Sequence, residues 1–218
     1  MSHAKLISVV FFAGISVIPA ACGGKIHYPS YYVLNLPPPA PQPAQSKPSL
    51  GAAAVRQFSA PRFLRAGAIV YRQSPEQLGF YNYDRWAVDP RSVVTSAFVE
   101  VLESRNIFQS VRTSDGRAIS DYLITGTLDH LEEVDQGHRM FINVSISAQL
   151  MNVNTGNVVW SDASSQTTNL EDHAMAGLVA GMSQAAEQAI TNLVSSMQGR
   201  LLQLQASASK GTKEDRQE

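Results

Sequence analysis

Residues Met140 to Val153 read as one long strand, with apolar and polar side chains alternating from Ile142 to Leu150. Ile142, Val144, Ile146, Ala148 and Leu150 fall on one side of an extended chain. Phe141, Asn143, Ser145, Ser147, Gln149 and Met151 fall on the other. A period of two sustained this far cannot be a helix. It also fixes pairing register, because a slip of one residue would turn the whole apolar set toward water. Asp121 to Val134 precedes it as a second long strand. There Tyr122, Ile124 and Leu128 share a face, and Gly126 marks a place where a neighbour packs closely. Asp135-Gln136-Gly137-His138 predicts the turn between the two. Asn154-Thr155-Gly156 predicts the next turn, after which Asn157 to Ser161 brings Val159 and Trp160 back alongside. Three consecutive strands joined by tight turns form a meander.

A second organiser is the aromatic stretch Gln77 to Asp89. Phe80 and Tyr81 take opposite sides of an extended chain, and Tyr83 and Trp86 add bulky amphipathic rings. These four rings are either core or partner surface. The stretch ends at Asp89-Pro90, a helix start, since Asp caps free N–H groups and Pro suits the first helical position. Val93, Val94, Ala97, Phe98, Val101 and Leu102 then recur at helical spacing to about Ser104.

The remaining elements are shorter. Tyr31 to Leu36 reads as a first strand, followed by a proline-rich crossing over 35–48 that cannot pair inside a sheet. Ala52 to Phe58 and Ala68 to Arg72 read as strands, with a turn at Arg62 to Arg65 between them. Gln73 to Leu78 reads as a loop, and Ile107 to Val111 as a short strand. A long helix starts near Asn169 or Asp172 and runs to Gln205. Met175, Met182 and Ala189 lie on one seam of it, with Val179, Ala186 and Leu193 beside them. Gly177 and Gly181 weaken this helix in isolation, so it needs tertiary support: the seam docks on the sheet or on another helix, and the sheet is the expected place. The expectation is one α+β domain over 31–205: a mainly antiparallel sheet with a central helix and a long C-terminal helix packed on one face. Residues 206–218 are polar and charged and read as a disordered tail.

Residues 1–21 carry Lys5, an apolar run from Leu6 to Ile18, and small residues at Ala20 and Ala21. The run is too short to span a bilayer and has the layout of an export signal. Cys22, the sole cysteine in the sequence, comes directly after it. A lone thiol in an exported chain has no intramolecular disulfide to form. Bacterial lipoprotein processing explains its position: Cys22 takes lipid and becomes the mature N-terminus. Pro19 departs from the Leu-like residue usual at that place. The alternative is an ordinary secreted protein with a chance cysteine. Residues 22–30 are then a lipidated tether, short enough to hold the folded body beside the membrane. Gly23 is not the Asp that favours inner-membrane retention, so the outer membrane is the expected destination, with the body on the periplasmic side.

Chemistry is sparse. The chain contains no phosphate loop, dinucleotide fingerprint or nucleophile elbow. His3, His27, His130, His138 and His173 stand at no recognised metal spacing. His130 and His138 read as cross-strand neighbours, and Asp129, Glu132, Glu133 and Asp135 as the solvated end of a hairpin. Charged residues make up 16% and the net charge is −1, which argues against nucleic acid bound through phosphates. No catalytic residue, metal or cofactor is expected.

Five motifs occur in order: Tyr31-Tyr32-Val33-Leu34 before a proline run, Ile69-Val70-Tyr71-Arg72, Gly79 to Trp86, Asp121 to Gly126, and Thr155 to Trp160. Over Tyr31 to Met197 the chain resembles the auxiliary lipoprotein component of ABC-type transport systems. This periplasmic lipoprotein accompanies Mce-type lipid transporters and the paraquat-inducible membrane system. The resemblance implies a non-enzymatic part of a machine moving lipids or other hydrophobic molecules across the envelope. It implies as partners an Mce-type substrate-binding protein and an ABC permease/ATPase complex, membrane attachment through the lipid, and assembly into a homo-oligomer. The competing readings are a lipid carrier with its own cavity, an envelope structural or stress lipoprotein, and an enzyme. An apolar tunnel would favour the carrier, and clustered, shifted titratable groups the enzyme.

Overall fold

The computed structural model describes residues 27–40, 50–114, 120–171 and 173–214, with side chains to 207. The signal, Cys22 and most of the tether lie outside the described residues, as does much of the proline-rich crossing. In chain order the elements are β1 (Ser30–Tyr32), β2 (Leu50–Val55), β3 (Ala68–Ser74), β4 (Gln77–Trp86), α1 (Pro90–Ser104), β5 (Phe108–Thr113), β6 (Tyr122–Gln136), β7 (Arg139–Asn152), β8 (Val158–Asn169) and α2 (Met175–Glu214). A 3-10 turn at Arg62–Arg65 lies between β2 and β3.

The expected meander forms. β7 pairs antiparallel with β6 along its full length and with β8 on its other side. Its apolar set, Ile142 to Leu150, is buried. The turn from β6 to β7 uses Gly137 at φ 69°, a conformation that favours glycine. The free side of β6 is shared by two wings. Its first residues pair in parallel with β2, which pairs in parallel with β5. Its last residues pair in parallel with β3, which carries β4 and then β1. The sheet is therefore mixed, with its long ladders antiparallel. Gly126 sits where Phe58 crosses β6; a Cβ there would stand 2.5 Å from the Phe58 ring.

A bulge in β6 between Leu128 and His130 inserts Asp129. Leu128 then registers with Ile146 and Leu131 with Val144, so both leucines turn inward although they are an odd number of residues apart.

Both helices lie on the sheet as expected, α2 over β7 and β8 and α1 against β5 and α2. The α2 seam is buried at Met182, Ala186, Ala189 and Leu193. Phe98 of α1 meets Phe58 with ring centroids 5.2 Å apart, and the Phe58 N–H donates to Thr95 Oγ1 at 3.0 Å. Asp89 caps α1 as its sequence predicts, accepting from the Arg91 N–H at 3.0 Å. The Arg91 guanidinium also bonds this carboxylate and holds its pKa below the usual range. Asp89→Ala is expected to cost about 0.5–2 kcal/mol, and Asp89→Asn much less because the cap acceptor remains. Urea unfolding of both variants measures the difference.

Several boundaries depart from expectation: β1 ends at Tyr32 and not Leu36, and β2 at Val55 and not Phe58. Gln73 to Leu78 is not a loop: β3 and β4 close through a tight turn at Pro75-Glu76, where Ser74 Oγ accepts from the Gln77 N–H at 3.1 Å. β8 continues well beyond Ser161, because its Ser/Thr-rich second half pairs with β7 through backbone bonds that a search for apolar side chains does not register. α2 accordingly begins at Met175. It stays helical to Glu214, across residues whose composition suggests a disordered tail.

Candidate functional site

β4 is the strand in which the four candidate rings sit, and the fold divides them. Trp86 registers with Tyr32 of β1 and is core, 6% exposed. Tyr81 is half-buried; its hydroxyl donates to Glu133 Oε2 at 2.8 Å and its ring meets Tyr71 edge-on at 5.1 Å. Phe80 and Tyr83 remain 42% and 51% exposed. Strand alternation accounts for Phe80 and Tyr81. An irregularity in the β3–β4 ladder between Ala68 and Val70 carries the chain round to Tyr83.

Glu132 and Glu133 correct the reading of a solvated acidic hairpin end. Both are almost completely buried. After the bulge, Glu133 registers with Ile142 and Glu132 with Asn143, so the two carboxylates point to opposite sides of the sheet. Arg72 Nε and Nη2 each donate to Glu132 at 2.9 Å, a bidentate pair. His130 Nδ1 lies 3.1 Å from the same carboxylate. The Glu132 hydrogen bond raises the Arg72 pKa. Asp135 Oδ1 is buried without a hydrogen-bond partner. The two histidines read as neighbours are not paired: His130 registers with Ser145, and His138 lies in the turn.

The Tyr81 hydroxyl is pushed above the usual tyrosine range, first by burial and then by its bond to Glu133. A raised acid pKa in the folded state means the native protein keeps a proton that the unfolded chain releases. The stabilisation is complete below about pH 10, the ordinary tyrosine value, and is lost as pH rises through the folded value. Stability is expected to fall above that pH in the wild type and less steeply in Tyr81→Phe, measured by urea unfolding across the alkaline range.

Among the described residues, no group of three or more His, Cys, Asp or Glu side chains could hold a metal ion. Two depressions of the described surface are open grooves. One of about 610 Å³ lies between β8 and α2, lined by Trp160, Asp162, Ser196 and Arg200 among others. There Trp160 Nε1 donates to Ser196 Oγ at 3.2 Å, and Ser196 Oγ donates to Asp162. A second, of about 460 Å³, lies between Tyr31–Asn35 and the first turns of α2. No described helix is long and apolar enough to cross a membrane.

The family model for the ABC-type transport auxiliary lipoprotein component matches residues 32–194, a span running from β1 into α2. The chain belongs to this family. The auxiliary lipoprotein is similar in fold to a Xanthomonas campestris protein of known crystal structure, with TM-score 0.68 and 20% identity over 81% of this chain and 99% of that one. It is also similar to an uncharacterized protein, with TM-score 0.60 and 17% identity over 78% and 99% of the two chains. A Chlamydia trachomatis hypothetical protein matches at TM-score 0.50 and 7% identity, covering 70% and 98%. At these identities the likeness concerns the fold alone. No curated protein matches the sequence. The lipoprotein's family thus associates it with an ABC-type transport system and with the cell envelope.

Sequence reasoning missed the Arg72–Glu132 pair and the exposed edge formed by β1 and β4. The adjacent Tyr31-Tyr32 pair carried a signal for the edge, since neighbouring residues of a strand cannot both face the core.

Proposed function

We propose that this auxiliary lipoprotein is a non-enzymatic component of an Mce-associated transport system. It is anchored by lipid on Cys22 to the periplasmic side of the outer membrane, and the system moves lipids or other hydrophobic molecules. The observation that carries the proposal is the family match from β1 into α2. It is supported by the placement of Cys22 after an apolar leader and a short distance before β1. A docking role also suits the body: its interior is filled by side chains such as Phe58, Phe98, Ile146 and Leu193, and the two depressions beside α2 described above are open grooves. Its partners are an Mce-type substrate-binding protein and the ABC permease/ATPase complex, and the protein forms a homo-oligomer.

Capture of the protein from native membranes, with mass spectrometry of what accompanies it, tests this. Recovery of an ATPase, a permease and an Mce-type protein is the expected result, and their consistent absence would end the proposal. Cys22→Ala is expected to leave the protein folded but released from membranes. Persistence in the membrane fraction after a high-salt wash would show that another feature holds it there.

A further inference from the structure

The exposed tyrosines of this protein occupy one place. Tyr28, Tyr31 and Tyr83 are 77%, 63% and 51% exposed, whereas Tyr32, Tyr71, Tyr81 and Tyr122 are partly buried. Tyr31 and Tyr83 lie on the outer edge made by β1 and β4, and Tyr28 stands two residues before β1. Tyr31 registers with Arg85, two residues beyond Tyr83, so these side chains share one side of the strand pair. His27 stacks against Tyr83 with ring centroids 5.2 Å apart. The neighbouring register pair, Ser30 and Asp84, points the other way. The other exposed large apolar residues are mostly aliphatic: Val33 just after β1, Phe80 in β4 and Val88 just after it, Val153 and Val158 near the β7–β8 turn, and Leu202 and Leu204 on α2.

We infer that this edge is a second, non-covalent membrane contact: Tyr28, Tyr31 and Tyr83, with His27 and Arg85, rest in the headgroup layer of the bilayer that holds the lipid anchor. The inference rests on Cys22 being that anchor. Chain length then selects the occupant. Five peptide units separate Cys22 from His27, which span at most roughly 18 Å when fully extended. No other face of the body is tied so closely to the membrane. Tyrosine suits the site because its ring is apolar and its hydroxyl is polar, the amphipathic character that concentrates it at membrane–water boundaries. A guanidinium in the same row can meet lipid phosphate. A single point of attachment would leave the body free to tumble. A ring cluster beside the tether gives it one orientation, with β8 and the outer end of α2 turned toward the periplasm.

The test places a reporter at the edge in the full lipidated chain. Trp86 and Trp160 are both buried and give a constant background. Tyr31→Trp and, as a distant control, Val158→Trp are reconstituted into vesicles of phosphatidylethanolamine and phosphatidylglycerol, with and without brominated acyl chains. Flotation of each sample reports the anchor separately. The expected result is a blue shift and bromine quenching for Tyr31→Trp, relative to the same substitution in the Cys22→Ala chain in buffer, and neither for Val158→Trp. Flotation with unshifted, unquenched Tyr31→Trp emission overturns the contact and leaves the anchor standing. Failure to float removes the anchor and the contact with it. A blue shift that grows with protein concentration in the Cys22→Ala chain without vesicles means that a second copy covers the edge, which also overturns the inference.

Discussion

Arg72→Ala is expected to destabilise the protein by about 3–5 kcal/mol, the cost of stripping one partner from a buried ion pair. The side chains are unequally wet: Glu132 is 1% exposed and Arg72 20%. Removing the guanidinium therefore leaves a carboxylate that water reaches poorly, with His130 and a long 3.5 Å contact from Asn143 as its remaining neighbours. Removing both charges is a different experiment. Arg72→Met with Glu132→Leu is expected to lie close to the wild type or above it, because two apolar side chains need no compensation for lost hydration. Urea unfolding of the two single variants and the double variant gives the coupling. A single Arg72→Ala loss below about 1 kcal/mol, in the range of an exposed pair, would mean that water replaces the guanidinium and that Glu132 is not isolated.

Trp86→Ala is expected to cost about 3–5 kcal/mol, as for other large aromatic side chains deleted from a core. Trp86 stands where β1, β4 and the turn before β3 meet: it registers with Tyr32, its backbone N–H donates to Gly67 O at 2.8 Å, and its side chain is buried in the core. Phe80→Ala and Tyr83→Ala are expected to fall within about 0.5 kcal/mol of the wild type, since both rings already stand in solvent. Thermal or urea unfolding separates the two outcomes. Trp86→Ala with unchanged stability and lost membrane or partner binding would reassign that ring to the surface.

Much of the fold was legible because it repeats locally. The alternation through Ile142 to Leu150 set β7 and its register, and the Asp89-Pro90 start with its apolar spacing set α1. Gly126 announced a close neighbour, though not that the neighbour was Phe58. The failures share one origin. β8 beyond Ser161 has few apolar residues, and its strand character comes from the ladder β7 offers it. The parallel pairings of β6 with β2 and β3 join segments far apart in the chain, for which turn chemistry gives no clue. The acidic run Asp129 to Asp135 read as solvated because composition does not reveal a bulge. One inserted residue re-aims every side chain after it, and that puts Glu132 beside Arg72 and Glu133 beside Tyr81.

The candidate rings show the same division. The sequence by itself determined that β4 would carry aromatics on both sides and that a helix would follow at Pro90, since each depends only on neighbours along the chain. Which rings became core and which stayed wet was decided by the tertiary structure. Burial depends on what distant strands lay across each face, and only the assembled sheet brought β1 against β4 to cover Trp86 and leave Tyr83 at an open edge.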